Sequence, residues 1–331
     1  MNARRNISID ALRGIAALFV VIIHLTGYIK DNPIDVQWMA ANVYNSMARW
    51  TVPVFVMISG AFLLKKEEES LQSLWSKRIK RILILLVFWN LVYGIDTILP
   101  DFDFSKMPLG AWLMAKYHLW YLYMLIGLYL LLPLLRLLVK HNYEMYILGL
   151  WFVFEILANS VYLVDIFSGY MFLNGFGYIG YFVLGYYLLH KCQWIHTPKI
   201  YRLVYLVGFL MVGISMLIRY YVKSQTGELD DFVSNNLSVY VLFPSIAVFV
   251  FFMRIKISEN SRWVPVIKLL ADCSLGVYLI HPLMLRYGFP FISSGIASIY
   301  TYLLAWVIAS GLSIAATYIL LKIPFINKVV K

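Results

Sequence analysis

Apolar residues in this chain come in long, nearly unbroken stretches, and polar residues crowd into the gaps between them. Ten such runs can be counted, at roughly 9–29, 38–64, 79–99, 117–139, 143–164, 169–190, 201–222, 234–253, 264–288 and 296–321. Each is about 20 residues or longer, enough at ~1.5 Å rise per residue to carry a helix across the apolar core of a bilayer. The pattern predicts an all-α fold: a polytopic membrane helix bundle of about 10 transmembrane helices. An even number of spans puts both termini on one side. The longest breaks, at 65–77, 101–116 and 223–234, are too short for a soluble domain. No internal repeat stands out, which argues against the repeat-built secondary transporters. The whole chain, 1–331, reads as one integral membrane domain.

Composition sharpens this picture. The 331 residues are 62% hydrophobic and only 14% charged, with mean hydropathy +0.76; soluble domains run nearer a quarter charged. The net charge of +11 does not point to nucleic acid, because the basic residues flank the apolar runs as membrane orientation requires. On the side of the N terminus fall 21 of the 28 Lys and Arg, among them the cluster Lys77-Arg78-Ile79-Lys80-Arg81. The other side holds Lys30, Arg49, Lys106, Lys116, Arg219, Lys223 and Arg286, together with acidic residues such as Asp31, Asp35, Asp101, Asp103, Asp165, Glu228, Asp230 and Asp231. This asymmetry predicts that both termini are cytoplasmic. Arg4 and Arg5 ahead of an apolar run resemble a signal peptide, but Asp10 and Arg13 interrupt that run and no small-residue cleavage site follows, so the segment is expected to be retained. Cys192 and Cys273 lie far apart and on or near the cytoplasmic side, so no disulfide is expected.

Ionisable residues inside the runs are the candidates for chemistry, because they are costly in a membrane and usually face a protein interior or a wet cavity. On a helix, Asp10, Arg13 and His24 share one stripe of the first run, with Arg13 and His24 about 16 Å apart along the axis. Arg49 lies deep in the second run, followed by Pro53 and Ser59-Gly60, which suggest a kinked and closely packed helix. Arg78 and Arg81 are one helical turn apart, and two guanidinium forks on one face suit a phosphate-bearing ligand. His118 opens the fourth run, and His281 lies in the ninth at a height comparable to His24. The three histidines and Arg49 are expected to form one polar chamber. Taken singly, each has a bland reading as a satisfied structural group, and the basic cluster as a topology signal. No metal-ligand spacing accompanies the histidines, so no metal is expected.

These residues carry a resemblance. Asp10-Ala11-Leu12-Arg13-Gly14 with His24, Arg49 with Val52-Pro53-Val54-Phe55 and Ser59-Gly60, Arg78-Ile79-Lys80-Arg81, His118-Leu119-Trp120-Tyr121, Gly180-Tyr181-Phe182-Val183-Leu184-Gly185 and Ser274-Leu275-Gly276-Val277-Tyr278 with His281 resemble, in order and spacing, the acyltransferase 3 family of integral membrane acyltransferases. Within it the chain is similar to bacterial surface-glycan O-acetyltransferases, such as the enterobacterial common antigen O-acetyltransferase. The resemblance implies a single membrane acyltransferase domain without the SGNH-like soluble domain that many members add. It implies an acyl-CoA-dependent O-acyltransferase (EC 2.3.1 class) of the bacterial cytoplasmic (inner) membrane, serving cell-envelope polysaccharide modification.

By the same resemblance, His24 is the catalytic base or acyl relay, and Arg13, Arg78 and Arg81 bind the donor, acetyl-CoA or another acyl-CoA, with Asp10 orienting Arg13. Arg49, His118 and His281 are candidates to stabilise the oxyanion, and spacing does not rank them. Trp120, Tyr121 and Ser59 are expected to line the substrate chamber. The expected partners are acyl-CoA, a glycan or polyprenyl-linked saccharide acceptor, the lipid bilayer and no nucleic acid, with a homo-oligomer left open. Two other classes compete: a glycan or small-molecule transporter or exporter whose path is lined by buried Arg and His, and a catalytically silent scaffold of an envelope complex. Loss of acetyl-CoA matched by acetyl gain on a glycan separates the first from an enzyme; tolerance of substitutions in the chamber marks the second.

Overall fold

The computed structural model describes residues 5–27, 32–65, 70–98, 118–160, 177–228, 232–288, 299–324 and 326–330. Among them there is no strand, and every one of the ten apolar runs contains a helix. In chain order the main helices are α1 (Ile7–Gly27), α2 (Val36–Ala48), α3 (Thr51–Leu63), α4 (Lys80–Ile98), α5 (Trp120–Lys140), α6 (Glu144–Trp151), α7 (Ile179–His190), α8 (Pro198–Thr226), α9 (Val239–Arg254), α10 (Val264–Gly288) and α11 (Ile299–Lys322). Among the described residues seven stretches are long and apolar enough to cross a membrane by themselves; α2 and α3 count together as one of them, Val36–Leu63. The described parts of the runs at 79–99, 143–164 and 169–190 do not qualify. α4 carries Lys80, Arg81 and Asp96, and α7 has 12 residues. The parts of the fifth and sixth runs within 161–176, the break at 101–116, and Arg4, Lys30, Asp31, Lys66, Asp165, Asp230 and Asp231 of the charge balance lie outside the described residues.

The second run is two helices rather than one. α2 ends at Ala48 and α3 begins at Thr51. The cause is Pro53, whose nitrogen has no hydrogen to donate to the carbonyl of Arg49; the ladder resumes where Val54 N–H donates to the carbonyl of Trp50 at 3.1 Å. α2 has its own start signal, Asp35, whose carboxylate accepts from the backbone N–H of Trp38 at 2.7 Å, an N-cap of the usual kind. A second irregularity precedes α4, where Leu74–Ile79 is π-helical. A third follows α6, where the π-helical stretch Phe152–Leu157 buries Glu155.

α1 is the hub of the bundle. It packs most extensively on α10 and also touches α2, α3, α9 and α11. Its small and branched residues Leu12, Ala16, Ala17 and Val21 are fully enclosed, as expected where helices approach closely without a hydrophobic drive between them. α3 crosses α7 even more tightly. A Cβ added at Gly60 would lie 1.8 Å from the carbonyl oxygen of Phe182, and one added at Gly185 would lie 2.0 Å from that of Met57. Both obstacles are backbone, so neither can swing aside. Gly185→Ala is therefore expected to lower stability by about 1–3 kcal/mol or more, the cost of overpacking a filled core. Gly213→Ala on α8, where nothing lies within 4 Å of the added carbon, should be neutral. Thermal unfolding of the two purified variants beside the parent checks this, and equal unfolding temperatures would remove the crossing as a stability determinant.

Polar ties fix the ends of the bundle. At one end, here called the basic end, the Arg5 guanidinium donates to Asp10 of α1 and, at 2.8 Å, to Asp272 of α10. At the far end Arg286 of α10 donates to Asp96 of α4 at 2.5 Å, and the Tyr287 hydroxyl donates to the same carboxylate. The buried carboxylates of Asp10 and Asp96 thus each have a cation beside them, as burial of charge demands.

Candidate functional site

A cavity of about 740 Å³ opens among α1, α3, α4, α5, α10 and α11. Its walls change character along its length. At the basic end they carry Arg5, Arg13, Arg81, Lys322 and Asn327; deeper in they are Val20, Val52, Phe55, Ile58, Leu125 and Leu275; and Tyr121, Tyr278 and Ser59 also face it. A volume in this range, apolar walls and a few convergent polar groups are the ordinary features of a ligand site. Arg5, the first described residue, and Asn327, near the last, line the same cavity.

The inner wall is aromatic. The rings of Tyr121 and Tyr278 are 5.6 Å apart at 63°, and Phe55 packs edge-on to Tyr121 at 6.3 Å. Tyr121 hydrogen-bonds with Ser59 and feels the charge of Arg13, and the Ser59 hydroxyl donates to the carbonyl of Phe55 at 3.0 Å. Tyr278 links the cavity to the histidines. Its hydroxyl donates to the carbonyl of His118, and its ring lies 5.9 Å from that of His118 and 6.3 Å from that of His281.

The three histidines come together. The His24 and His281 rings are 4.8 Å apart at 32°, and His118 stands edge-on to His281 at 5.9 Å. The contributing elements explain how. α1 brings His24 one turn beyond the cavity-lining Val20. α10 brings His281 one turn beyond Tyr278. His118 enters from the turn ahead of α5, held by the edge of Tyr93 at 4.7 Å; the Tyr93 hydroxyl in turn donates to the carbonyl of Leu279 at 2.6 Å. His118 and His281 are fully buried, whereas His24 is half-buried. His281 Nδ1 is 3.1 Å from the carbonyl of Val277. A carbonyl only accepts, so Nδ1 carries the proton and Nε2 keeps a lone pair. Pro282 follows directly and has no N–H for the carbonyl of Tyr278, so this turn of α10 is open where the imidazole packs.

Beyond His24 lies a second polar group. Asn45 of α2 donates to the Thr26 hydroxyl at 2.8 Å and points the same amide at the carbonyl of Ile23 at 3.4 Å. Its own oxygen accepts from Arg49 Nε and from Arg219 of α8, both at 2.7 Å. Arg219 also donates to Ser234 at 2.7 Å. Arg219 and, one turn later, Lys223 are buried, and Arg49 is within electrostatic range of the His24 ring.

Set against the sequence reading, the structure joins His24, His118 and His281 in one cluster and brings Arg13, Arg81, Tyr121 and Ser59 to one cavity. Trp120 is set apart from that cavity, its ring tilted at 41° against that of Tyr178 at 5.4 Å. Two expected pairings change. Asp10 was expected to orient Arg13, but its carboxylate accepts from Arg5, which reaches it from just outside the helix; Arg13 remains in the cavity wall. Arg78 and Arg81 were expected on one helical face. The π-helical turn at Leu74–Ile79 alters the angle between successive residues, and of the two only Arg81 lines the cavity. Tyr278, Asn45, Arg219 and Lys223 went unassigned from sequence. Signals were there: Tyr278 is three residues before His281 on one helical face, and Arg219 and Lys223 are cations spaced i, i+4 in an otherwise apolar helix.

A family model described as an acyltransferase domain matches residues 6–322, from the start of α1 to the end of α11. No curated protein and no solved structure matches the chain.

Proposed function

We propose that this chain, which belongs to the acyltransferase family matched over residues 6–322, moves an acyl group from a cytoplasmic acyl-CoA to a hydroxyl of a surface glycan or its lipid-linked precursor. The protein is a multi-pass membrane acyltransferase. The finer reading is an inner-membrane O-acetyltransferase close to those that modify bacterial surface sugars. One observation carries it, a cavity that is basic at its mouth and aromatic inside, with three imidazoles packed behind its aromatic wall.

In this reading the basic end faces the cytoplasm, in line with the excess of Lys and Arg there. The polyanionic head of acyl-CoA lies among Arg13, Arg81 and Lys322, and Arg78 adds charge outside the cavity. Asp10 acts at one remove by holding Arg5. The pantetheine arm follows the apolar wall, and the thioester reaches Tyr121 and Tyr278. The acceptor hydroxyl approaches His24 from the far end. As its oxygen attacks the thioester carbon, His24 takes its proton. The charge of Arg49 favours the developing oxyanion, and a single donor in such a position is worth about 2.7–4 kcal/mol in known enzymes. The carbon–sulfur bond then breaks, and the imidazolium returns its proton to the leaving thiolate. The His281 ring packs against that of His24 at 4.8 Å and fixes its orientation. His118 and Tyr278 hold the pair in place.

The test uses the purified protein in nanodiscs, with isotope-labelled acetyl-CoA and surface glycan extracts from cells lacking the gene. Acetyl-CoA consumption should equal acetyl gained by the glycan. A glycan that crosses the membrane without release of CoA would replace the reading by transport.

A further inference from the structure

Trp120 stays out of the cavity that its neighbour Tyr121 lines, and the structure gives it other company. It opens α5, Tyr178 immediately precedes α7, and Asn236 lies just ahead of α9. The carbonyl of Ile255, which follows α9, accepts from the Ser8 hydroxyl at 2.6 Å at the basic end, so Asn236 and its neighbours lie at the far end. The Trp120 and Tyr178 rings are 5.4 Å apart at 41°, and Trp120, Tyr178 and Asn236 are all half-buried. Asn236 Nδ2 donates to the Tyr178 hydroxyl at 2.9 Å, and the Tyr181 hydroxyl donates to the Asn236 carbonyl at 2.6 Å, which fixes the amide against the ring. Among the described residues nothing accepts from the Trp120 indole N–H or from the Tyr178 O–H, and nothing donates to Asn236 Oδ1. Aromatics of an interfacial belt face lipid headgroups. These two face one another and the protein: Trp120 packs on Tyr121 at 6.4 Å, and Tyr178 packs on the buried Tyr181 at 6.3 Å. Arg49 acts electrostatically on both the Tyr178 hydroxyl and the His24 ring, so one guanidinium lies near both this patch and the imidazole cluster.

We propose that Trp120, Tyr178 and Asn236 form the subsite that holds a pyranose ring of the acyl acceptor. The word acceptor rests on the acyl-transfer reading; the site rests on the geometry of the patch. A pyranose carries C–H groups on its faces and hydroxyls around its rim. The aromatic rings cover the first. The open N–H, O–H and Oδ1 meet the second, since each sugar hydroxyl is a donor and an acceptor at once. A few fixed polar groups beside apolar rings are how small-ligand sites set orientation. A ring held here lies at the end from which the acceptor hydroxyl approaches His24. The subsite therefore chooses the sugar, a choice that a proton-accepting imidazole does not make.

The test measures binding to the purified full chain in nanodiscs by saturation-transfer NMR titration. The probes are the methyl glycosides of glucose, galactose, mannose and N-acetylglucosamine. Sorbitol, which has the hydroxyls without the ring, is the control. At least one glycoside should bind about 10-fold or more tightly than sorbitol, with saturation reaching its ring protons. Tyr178→Phe keeps the aromatic ring and removes only the hydroxyl, and should weaken that glycoside by about 3–10-fold, the loss of a neutral hydrogen bond. Trp120→Ala removes a ring and a donor together, and should weaken it by about 10-fold or more. If Trp120→Ala does not fold, Tyr178→Phe together with the wild-type comparison decides. Equal binding of the glycosides and sorbitol, or glycoside affinity unchanged in Tyr178→Phe, overturns the subsite and returns the two rings to an interfacial belt. Because the readout needs no acyl-CoA and no turnover, a failed transfer assay leaves this inference standing, and failure here leaves acyl transfer untouched.

Discussion

His24→Gln is expected to lower acyl transfer by about 10²–10⁴-fold, the usual loss when a general base is removed, with little change in the amount of protein in the membrane. Glutamine keeps a hydrogen-bonding group of similar reach but cannot take up a proton. His24 is the one member of the imidazole cluster that is half-buried rather than enclosed, so polar replacement there leaves no newly stranded group in the core. His24→Ala should be equally inactive. The comparison separates chemistry from packing. If the imidazole only fills space or donates a hydrogen bond, the Gln variant keeps substantial activity while the Ala variant loses it. Initial rates with labelled acetyl-CoA, on protein normalised by thermal unfolding, make the measurement. A well-folded His24→Gln protein with near wild-type rates would remove His24 from the mechanism and turn attention to the Nε2 lone pair of His281.

The second large effect concerns the donor. Arg13→Ala and Arg81→Ala should each weaken acyl-CoA binding by about 10–150-fold, the range for losing a hydrogen bond to a charged group. The lower part of the range is expected at the mouth, where Arg81 is exposed and solvent screens its charge. Arg78→Ala should cost less than either, because Arg78 stands outside the cavity wall. Lysine in place of Arg13 or Arg81 should restore only part of the affinity, since it cannot present a bidentate fork to a phosphate. Direct binding of CoA to the purified variants checks the order. Unchanged affinity in Arg13→Ala and Arg81→Ala would reduce these residues to topology signals.

The differences between sequence and structure have identifiable physical causes. α1 was legible end to end, because a run of apolar residues about 20 long has one structural meaning in a bilayer. The meeting of His24, His118 and His281 was legible too, since apolar runs place a buried polar residue at a definite height. What height does not reveal is azimuth. The break between α2 and α3 depends on one missing hydrogen bond at Pro53, and the partner of Asp10 depends on Arg5 folding back from outside the helix. The π-helical turn before Lys80 has no compositional mark, and sequence does not tell that Arg81 lines the cavity while Arg78 does not. Arg219 was visible as a charge, but its convergence with Arg49 on Asn45 joins residues 174 apart in sequence, and a single chain carries no signal for it.

The make-up of the cavity wall also has a consequence in time. Its lining begins with Arg5 and Arg13 and is finished only by Tyr318, Lys322 and Asn327. A ribosome adding ~5–20 residues per second needs roughly 15–60 s to travel from the first of these to the last. Throughout that interval α1 is already made, while the last helix that walls the cavity beside Arg13 does not yet exist. The growing polypeptide is thus born without this cavity and acquires it only as α11 enters the membrane, so a chain released before α11 is made carries His24 without the enclosing wall.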